Sequence, residues 1–130
     1  MKTSIFFFFF IFAVFSLSAQ QNASTAKDSI KFEKIAHDYG NIEQGSSGEC
    51  VFVFTGQGAG VIVLSSVNAT CGCTTPEWPK NPVKPGEKGT IKVKYNTQII
   101  GHFSKSITVY SNAVNSPVEL KISGTVLPPK

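Results

Sequence analysis

The side chains with the most evident chemistry are two cysteines that flank a single glycine, Cys71-Gly72-Cys73. In an extended strand, the Cα atoms of residues two apart are separated by about 6.6–6.8 Å, whereas a disulfide prefers about 5.5–6 Å. Because Gly72 can adopt backbone angles that other residues resist, a bend at this position would bring the two sulfurs together. The resulting ring would be small and strained, and strain makes a disulfide easier to reduce. The spacing therefore predicts a redox-active bond.

Metal binding is the second chemistry that this spacing allows. Two thiolates suit a soft ion such as Cu(I), which makes Cys71 and Cys73 candidate copper ligands. Zinc requires four ligands, and the neighbouring sequence supplies no others. Only a fold that brought His37 or His102 close to the cysteines would complete a zinc site.

A third cysteine, Cys50, adds a structural alternative. Three cysteines allow three pairings, and each pairing leaves one free thiol. A bridge between Cys50 and Cys71 would close a loop of about 20 residues and stabilise the protein by roughly 3 kcal/mol through the lost chain entropy. The structural, redox and metal-binding roles of the cysteines all remain open at this point.

Two residues that follow the cysteines are candidates for contact with a binding partner. Thr74 comes directly after Cys73, and Trp78 lies between Pro76 and Pro79. If Trp78 packs over the end of the core, it acts as a lid. If Trp78 is exposed, it is an aromatic anchor for a partner.

No catalytic residue is predicted, and the chain is predicted not to be an enzyme. His37 next to Asp38 suggests a general base, but adjacent residues of a strand point to opposite faces. No nucleophile can be assigned to this pair, so a packing or turn role is favoured. His102 follows a glycine at a turn and is expected to be exposed.

The N-terminal segment has the pattern of a secretory signal peptide. Lys2 precedes an unbroken apolar run over residues 5–15, and small residues follow up to Ala19. The run is shorter than the roughly 20 residues that a membrane-spanning helix needs. We therefore expect a signal peptide over residues 1–19, a flexible polar arm over residues 20–29, and no membrane span after cleavage. The expected location is secreted or periplasmic.

Residues 30–127 predict one all-β domain. Residues 90–95 alternate, with Ile91, Val93 and Tyr95 on one face and lysines on the other, as in a sheet with one buried face. About seven short strands with turn residues between them are predicted, among them residues 30–35, 50–54, 61–67, 90–95, 103–110 and 118–126. A segment with three prolines, residues 74–82, is expected to be a loop or a sheet edge. This pattern is typical of an immunoglobulin-like, antiparallel two-sheet sandwich.

The charge of the chain argues against nucleic-acid binding. Its formal net charge is +4, and every strongly basic residue is lysine. Proteins that read bases usually need arginine, and those that bind single strands need aromatic platforms. Neither feature is clustered in this chain.

Several motifs resemble those of the DUF1573 family of exported bacterial proteins. The most specific are the Cys-Gly-Cys-Thr element at residues 71–74 and the Tyr-Ser-Asn-Ala step at residues 110–113. The others are HDYGNI at residues 37–42, PEWP at 76–79, VKPG at 83–86, the strand that ends at Tyr95, and ITV at 107–109. The resemblance covers roughly residues 30–126.

The resemblance implies a seven- or eight-stranded immunoglobulin-like fold, a bacterial envelope location and no particular reaction. The family is similar to MSP-like and ASH-like domains, which act as binding or scaffolding modules. Cys50 lies outside the family motif. Such proteins are frequent in the Bacteroidetes, where an Asp-Ser/Thr-apolar triplet can accept O-glycans, and Asp28-Ser29-Ile30 fits that triplet.

We therefore expect a non-catalytic exported module that acts by protein–protein or surface binding, through residues 68–82 or through a sheet edge. The expected partner is a protein in the cell envelope or outside the cell. The alternative is a thiol redox or Cu(I)-binding protein that uses the turn at Cys71, Gly72 and Cys73. Apart from Cu(I), no cofactor is expected.

Overall fold

The computed structural model of the protein describes residues 27–130, so the predicted signal peptide and most of the predicted arm lie outside the described residues. Within residues 27–130 the secondary structure is entirely β. The eight strands are β1 (Ser29–Phe32), β2 (Ala36–Glu43), β3 (Glu49–Gln57), β4 (Leu64–Ala69), β5 (Thr74–Glu77), β6 (Lys88–Tyr95), β7 (Gly101–Ser111) and β8 (Val118–Leu127). This part of the chain therefore offers no helix with the length and hydropathy of a membrane span.

The strands form two four-stranded sheets that enclose one core. The first sheet has the order β1-β3-β6-β5, and the second has the order β2-β8-β7-β4. The core lies between the sheets, and its largest fully buried side chains are Phe52, Phe54, Ile62, Ile91, Val93, Ile107, Val109, Leu120, Ile122 and Val126. The prediction of an immunoglobulin-like two-sheet sandwich is confirmed.

Hydrophobic alternation determines which face of each strand is buried. In β6, Ile91, Val93 and Tyr95 are buried, whereas Lys92 and Lys94 are exposed. Because the side-chain period of a strand is two, a shift of one residue would expose all the apolar side chains. Burial therefore fixes the register of this central strand, as the sequence predicts.

β2 is not predicted as a strand from the sequence, and β5 lies in the segment that is predicted to be a loop or a sheet edge. Both depend on pairing with distant segments. β2 pairs in parallel with β8, so the second sheet is not wholly antiparallel. The proline-rich segment supplies β5, which pairs only with β6. An edge strand tolerates proline because the missing N–H can face away from the neighbouring strand.

The sandwich begins two residues earlier than predicted. The Asp28 carboxylate accepts a hydrogen bond from the Gly60 N–H (2.8 Å), and its backbone carbonyl accepts one from the Val114 N–H (2.9 Å). Ser29 then begins β1. The last two residues of the arm predicted over residues 20–29 are therefore part of the fold, and the O-glycan triplet starts within this anchored segment.

Candidate functional site

The two neighbouring cysteines lie at the corner where the chain passes from one sheet to the other. β4 is an edge strand of the second sheet, β5 is an edge strand of the first, and residues 70–73 connect them. The Thr70 N–H donates to the Ser106 carbonyl (3.0 Å), and the Asn96 N–H donates to the Cys73 carbonyl (2.8 Å). Backbone hydrogen bonds therefore fix each side of this connection, which we call the disulfide corner, to its own sheet.

Within the disulfide corner, Cys71 and Cys73 form a disulfide, and their Cα atoms are 5.2 Å apart. That separation is shorter than an extended strand allows, so the bend predicted at Gly72 is present. Gly72 does not have a positive φ, however, and a Cβ added there would meet no heavy atom within 4 Å. The bend does not require glycine, so the physical reason expected from the sequence is wrong.

The disulfide closes a very short loop and contributes little through chain entropy. The expected contribution is about 1–2 kcal/mol, compared with roughly 3 kcal/mol for a loop of about 20 residues. Because backbone hydrogen bonds already hold both sides of the disulfide corner, the fold does not depend on this bond.

Thr74 and a shallow cleft border the two sulfurs. The Thr74 hydroxyl oxygen lies 3.8 Å from each sulfur, and the Thr74 N–H donates to the Cys71 carbonyl (3.3 Å). A cleft of about 260 Å³ is lined by Gly72, Cys73, Thr75, Lys94, Tyr95 and Asn96. Both cysteines are half-buried and Cys73 lines the cleft, so the disulfide is partly accessible.

Cys50 does not belong to the disulfide corner, and the bridge considered between Cys50 and Cys71 is not formed. Cys50 is a free, buried thiol on β3. β6 lies between β3 and β5, so Cys50 is two strand spacings, about 9–10 Å, from the strand that the corner enters. A disulfide needs Cα atoms within about 7 Å, and the strand order therefore prevents this pairing.

The surroundings of Cys50 make it unreactive. Burial raises the pKa of the Cys50 thiol, an effect that the neighbouring Tyr39 hydroxyl only partly offsets. The thiolate is the form of cysteine that reacts with oxidants and alkylating agents. Cys50 is therefore a packing residue in the folded protein.

Three aromatic side chains support the cleft from the side of the core. Tyr95 stacks on Phe103 of the opposite sheet, with ring centroids 3.7 Å apart. Tyr39 packs against Phe103 at 5.7 Å, and its hydroxyl donates to the Gly48 carbonyl (2.6 Å). Burial raises the pKa of Tyr39 and of Tyr95. Because Tyr95 also lines the cleft, one wall of the cleft is rigid.

Ile99 and Ile100, in the turn between β6 and β7, are candidate site residues that the sequence analysis does not identify. Their side chains are 46% and 51% exposed. The Asn96 carbonyl accepts a hydrogen bond from the Ile99 N–H (3.3 Å), while the Asn96 N–H donates to Cys73. One residue therefore connects this turn to the disulfide corner. The sequence signal for them is an apolar pair inside a segment that is otherwise rich in turn residues.

Trp78 lies away from the disulfide corner, beyond the far end of β5. The strand Thr74–Glu77 separates the two, a distance of about 13 Å. The Trp78 ring is partly buried and packs against the core, and the Lys80 Nζ lies 3.0 Å from its centroid. These contacts support the interpretation of Trp78 as a lid on the core rather than as an exposed aromatic anchor for a partner. The structure brings Thr74, but not Trp78, to the cysteines.

The two histidines do not join the cysteines. His37 lies on β2, where Lys34 Nζ is 3.2 Å from its Nδ1, and burial together with the Lys34 charge lowers the pKa of His37. His102 is exposed on β7, next to Thr125. Among residues 27–130, no three side chains of His, Cys, Asp or Glu are grouped closely enough to hold a metal ion. The histidines therefore do not complete a zinc site in this part of the chain.

The sandwich is similar to several solved structures. A protein of unknown function from Porphyromonas gingivalis W83 aligns with a TM-score of 0.69 and 16% identity, over 78% of this chain and 48% of that one. The chain thus spans about half the length of the Porphyromonas protein. The ASH / PapD-like domain of human CEP192 aligns with a TM-score of 0.67 and 7% identity, over 82% of this chain and 89% of that one.

A third similar structure comes from a protein complex. It is a chain of the chaperone–tip adhesion subunit pre-assembly complex of the Csu pili of Acinetobacter baumannii, with a TM-score of 0.52 and 11% identity. The alignment covers 75% of this chain and 57% of that one. At these identities the three similarities show the fold alone.

Sequence comparison identifies the family. No curated protein matches the chain. The sequence profile of the family described as "Protein of unknown function (DUF1573)" matches residues 30–126. That range contains all of β2 to β7, the disulfide corner and nearly all of β8. Because the match covers most of the sequence, the chain belongs to the DUF1573 family.

Proposed function

We propose that this protein is a non-catalytic exported module that binds another protein, in the cell envelope or outside the cell. Residues 70–73 and 96–101 together form a surface that we call the disulfide end, and this surface contacts the partner. The observation that carries the proposal is the exposure of two adjacent isoleucines, Ile99 and Ile100, on a turn that backbone hydrogen bonds hold against the disulfide corner.

The disulfide end combines exposed apolar area with a rigid frame. Fully burying an exposed isoleucine side chain contributes about 1.5–3 kcal/mol. Ile99 and Ile100 are about half-exposed, so each can contribute about half of that to a complex. The Cys71–Cys73 bond and the stacking of Tyr95 on Phe103 limit movement of this surface. Binding therefore orders few groups and loses little of this energy to conformational entropy.

The fold and the N-terminal segment support the same role. A chain of similar fold takes part in the chaperone–subunit complex from Acinetobacter baumannii, which supports protein binding by this sandwich. The signal-peptide pattern of residues 1–19 supports export. We propose a periplasmic or secreted location on this basis.

The test compares two double variants at opposite ends of the sandwich. Ile99→Ser with Ile100→Ser removes apolar area from the disulfide end. Val61→Ser with Val114→Ser removes similar area from the other end, where these side chains are 42% and 57% exposed. The partner is identified by crosslinking the wild-type protein in cell envelopes, and its Kd for each variant is then measured by calorimetry.

We expect the isoleucine variant to bind at least about 10-fold more weakly than the wild type. The valine variant should lose less than about threefold, and both should unfold within about 1 kcal/mol of the wild type. Equal losses of affinity would contradict the proposal. Failure to crosslink any protein would also count against it.

A thiol redox or Cu(I)-binding role is the second candidate function. The observation that favours it is the closed but accessible disulfide, because such a bond opens to two thiols that suit a soft ion. A Cu(I) titration of the reduced protein tests the metal form, with the Cys71→Ser/Cys73→Ser variant as control. If the reduced wild type and the double variant bind Cu(I) equally weakly, a Cu(I)-binding role for Cys71 and Cys73 is excluded.

A further inference from the structure

We propose that the disulfide corner is a thiol–disulfide exchange centre in which Cys73 is the sulfur that an incoming thiolate attacks. The substrate class is a dithiol, supplied by a pair of cysteines in a protein segment. This inference deepens the second candidate function and rests on it. It does not require the disulfide end to be the surface that binds a partner.

The Cys71–Cys73 bond can open without unfolding the sandwich. Hydrogen bonds from Thr70 to Ser106 and from Asn96 to Cys73 hold the two sides of the corner independently of the sulfurs. A bond that spans so few residues also removes little entropy from the unfolded chain. The bond is therefore suited to reversible exchange rather than to stabilising the fold.

Both cysteines are half-buried, and they differ in whether they border the cleft. Cys73 lines the cleft, whereas Cys71 does not. Because side chains alternate along a strand, the buried Thr74 places Thr75 on the outer side of the sheet. Cys73 lies in the turn before β5, where it borders the cleft and also contacts the core. A thiolate that enters the cleft meets Cys73 first, and Cys71 is then the leaving group.

Lys94 supplies a positive charge where the thiolate enters. Lys94 pairs with Thr75 across β5 and β6, so it is the diagonal neighbour of Cys73, and both residues line the cleft. Diagonal neighbours are about 7–8 Å apart, which is within reach of a long side chain. Glu49 lies opposite Lys94 on β3, on the side away from Cys73. The Lys94 ammonium therefore attracts the incoming thiolate.

The exchange takes place in two displacements. In the first, a substrate thiolate attacks Cys73 Sγ, the bond to Cys71 breaks, and Cys71 leaves as a thiolate that takes up a proton. The Thr74 hydroxyl, 3.8 Å from Cys71 Sγ, can donate to that thiolate. In the second, the other substrate thiolate attacks the substrate sulfur of the mixed disulfide, and Cys73 leaves and is protonated. In total, the substrate dithiol becomes a disulfide and loses two electrons and two protons. The Cys71–Cys73 disulfide gains these electrons and protons and becomes two thiols.

Glutathione and a two-cysteine peptide serve as probes on the full-length oxidised protein. Glutathione carries one thiol, so it forms the first mixed disulfide. After a short reaction and an acid quench, mass spectrometry should find the adduct on Cys73 at least about ten times more often than on Cys71. The reduced peptide, which carries both thiols, should instead open the corner and leave no adduct.

The role of Lys94 is tested by the rate of this first displacement. Lys94→Gln should lower the rate constant for glutathione by about 3–10-fold at low ionic strength, with a smaller effect at high salt. Lys92→Gln is the control, because Lys92 is the next exposed lysine along β6. The control should change the rate constant by less than about twofold.

The outcomes separate this inference from the function on which it rests. An adduct mainly on Cys71 would overturn the assignment of Cys73, and equal rate constants for the two lysine variants would overturn the role of Lys94. Either result would leave a redox role in place. If neither probe opens the disulfide in the folded protein, the redox role and this inference both fail.

Discussion

Replacing Phe103 with alanine is expected to lower the free energy of unfolding by about 3–5 kcal/mol. Phe103 is buried on β7 and stacks on Tyr95 of the opposite sheet. The variant would leave a cavity between the sheets and would remove the ring that stacks on Tyr95. Chemical denaturation of the purified protein, followed through the fluorescence of Trp78, measures the change.

Tyr110→Ala is the matched control for Phe103→Ala. Tyr110 lies on the same strand, but its side chain is 41% exposed on the outer face. The control should cost less than about 1 kcal/mol. Similar losses for the two variants would mean that β7 does not turn one face towards a core, and the two-sheet arrangement would then be wrong.

Gly48→Ala is expected to destabilise the protein by at least about 2 kcal/mol. A Cβ at Gly48 would overlap the carbonyl oxygen of Tyr95, which belongs to the backbone and cannot rotate away. The Gly48 carbonyl also accepts hydrogen bonds from the Tyr39 hydroxyl and the Tyr95 N–H. Moving the backbone to relieve the overlap would weaken both bonds. Thermal and chemical unfolding of the variant measure the loss.

Gly72→Ala is the control for the glycine substitution. An added Cβ at Gly72 would meet open space, and the backbone there does not have a positive φ. The control should stay within about 0.5 kcal/mol of the wild type. If Gly48→Ala is tolerated as well as Gly72→Ala, then β3 and β6 do not approach each other at Gly48 as the structure has them.

The fold could be predicted from the sequence because burial is a local property of each strand. The alternation of Ile91, Val93 and Tyr95 with lysines is confirmed by their burial on β6. Which strands pair with each other, in contrast, is not determined by the local sequence. β2 becomes a strand by joining β8 in parallel, and β5 becomes one by joining the edge of β6 despite Pro76. Neither segment has the regular alternation from which strands are recognised.

The candidate site could be predicted only in part. The spacing of Cys71 and Cys73 predicts a bend that permits a disulfide, and that bond is present. The state of Cys50 depends on the strand order, which places β6 between it and the disulfide corner. The exposure of Ile99 and Ile100 depends on where the turn between β6 and β7 lies relative to the two sheets. Strand order and turn placement are set by tertiary contacts rather than by local sequence.

Stability and function are largely separate at the disulfide end. The stacked pair Tyr95 and Phe103, with the hydrogen bonds of Gly48, stabilises the frame. The exposed isoleucines lie outside the core, and the half-buried Cys73 contacts only its edge. Substitutions at these exposed positions should therefore change binding or thiol exchange in a protein that remains folded.

The oxidation state of the three cysteines in the native protein is the most direct test of this account. The protein is recovered from cell envelopes in the presence of an alkylating agent, digested without reduction and mapped by mass spectrometry. We predict a peptide in which Cys71 and Cys73 are linked to each other, and a Cys50 that is alkylated only after the protein is unfolded, because burial raises the pKa of its thiol. A disulfide that includes Cys50 would contradict the account.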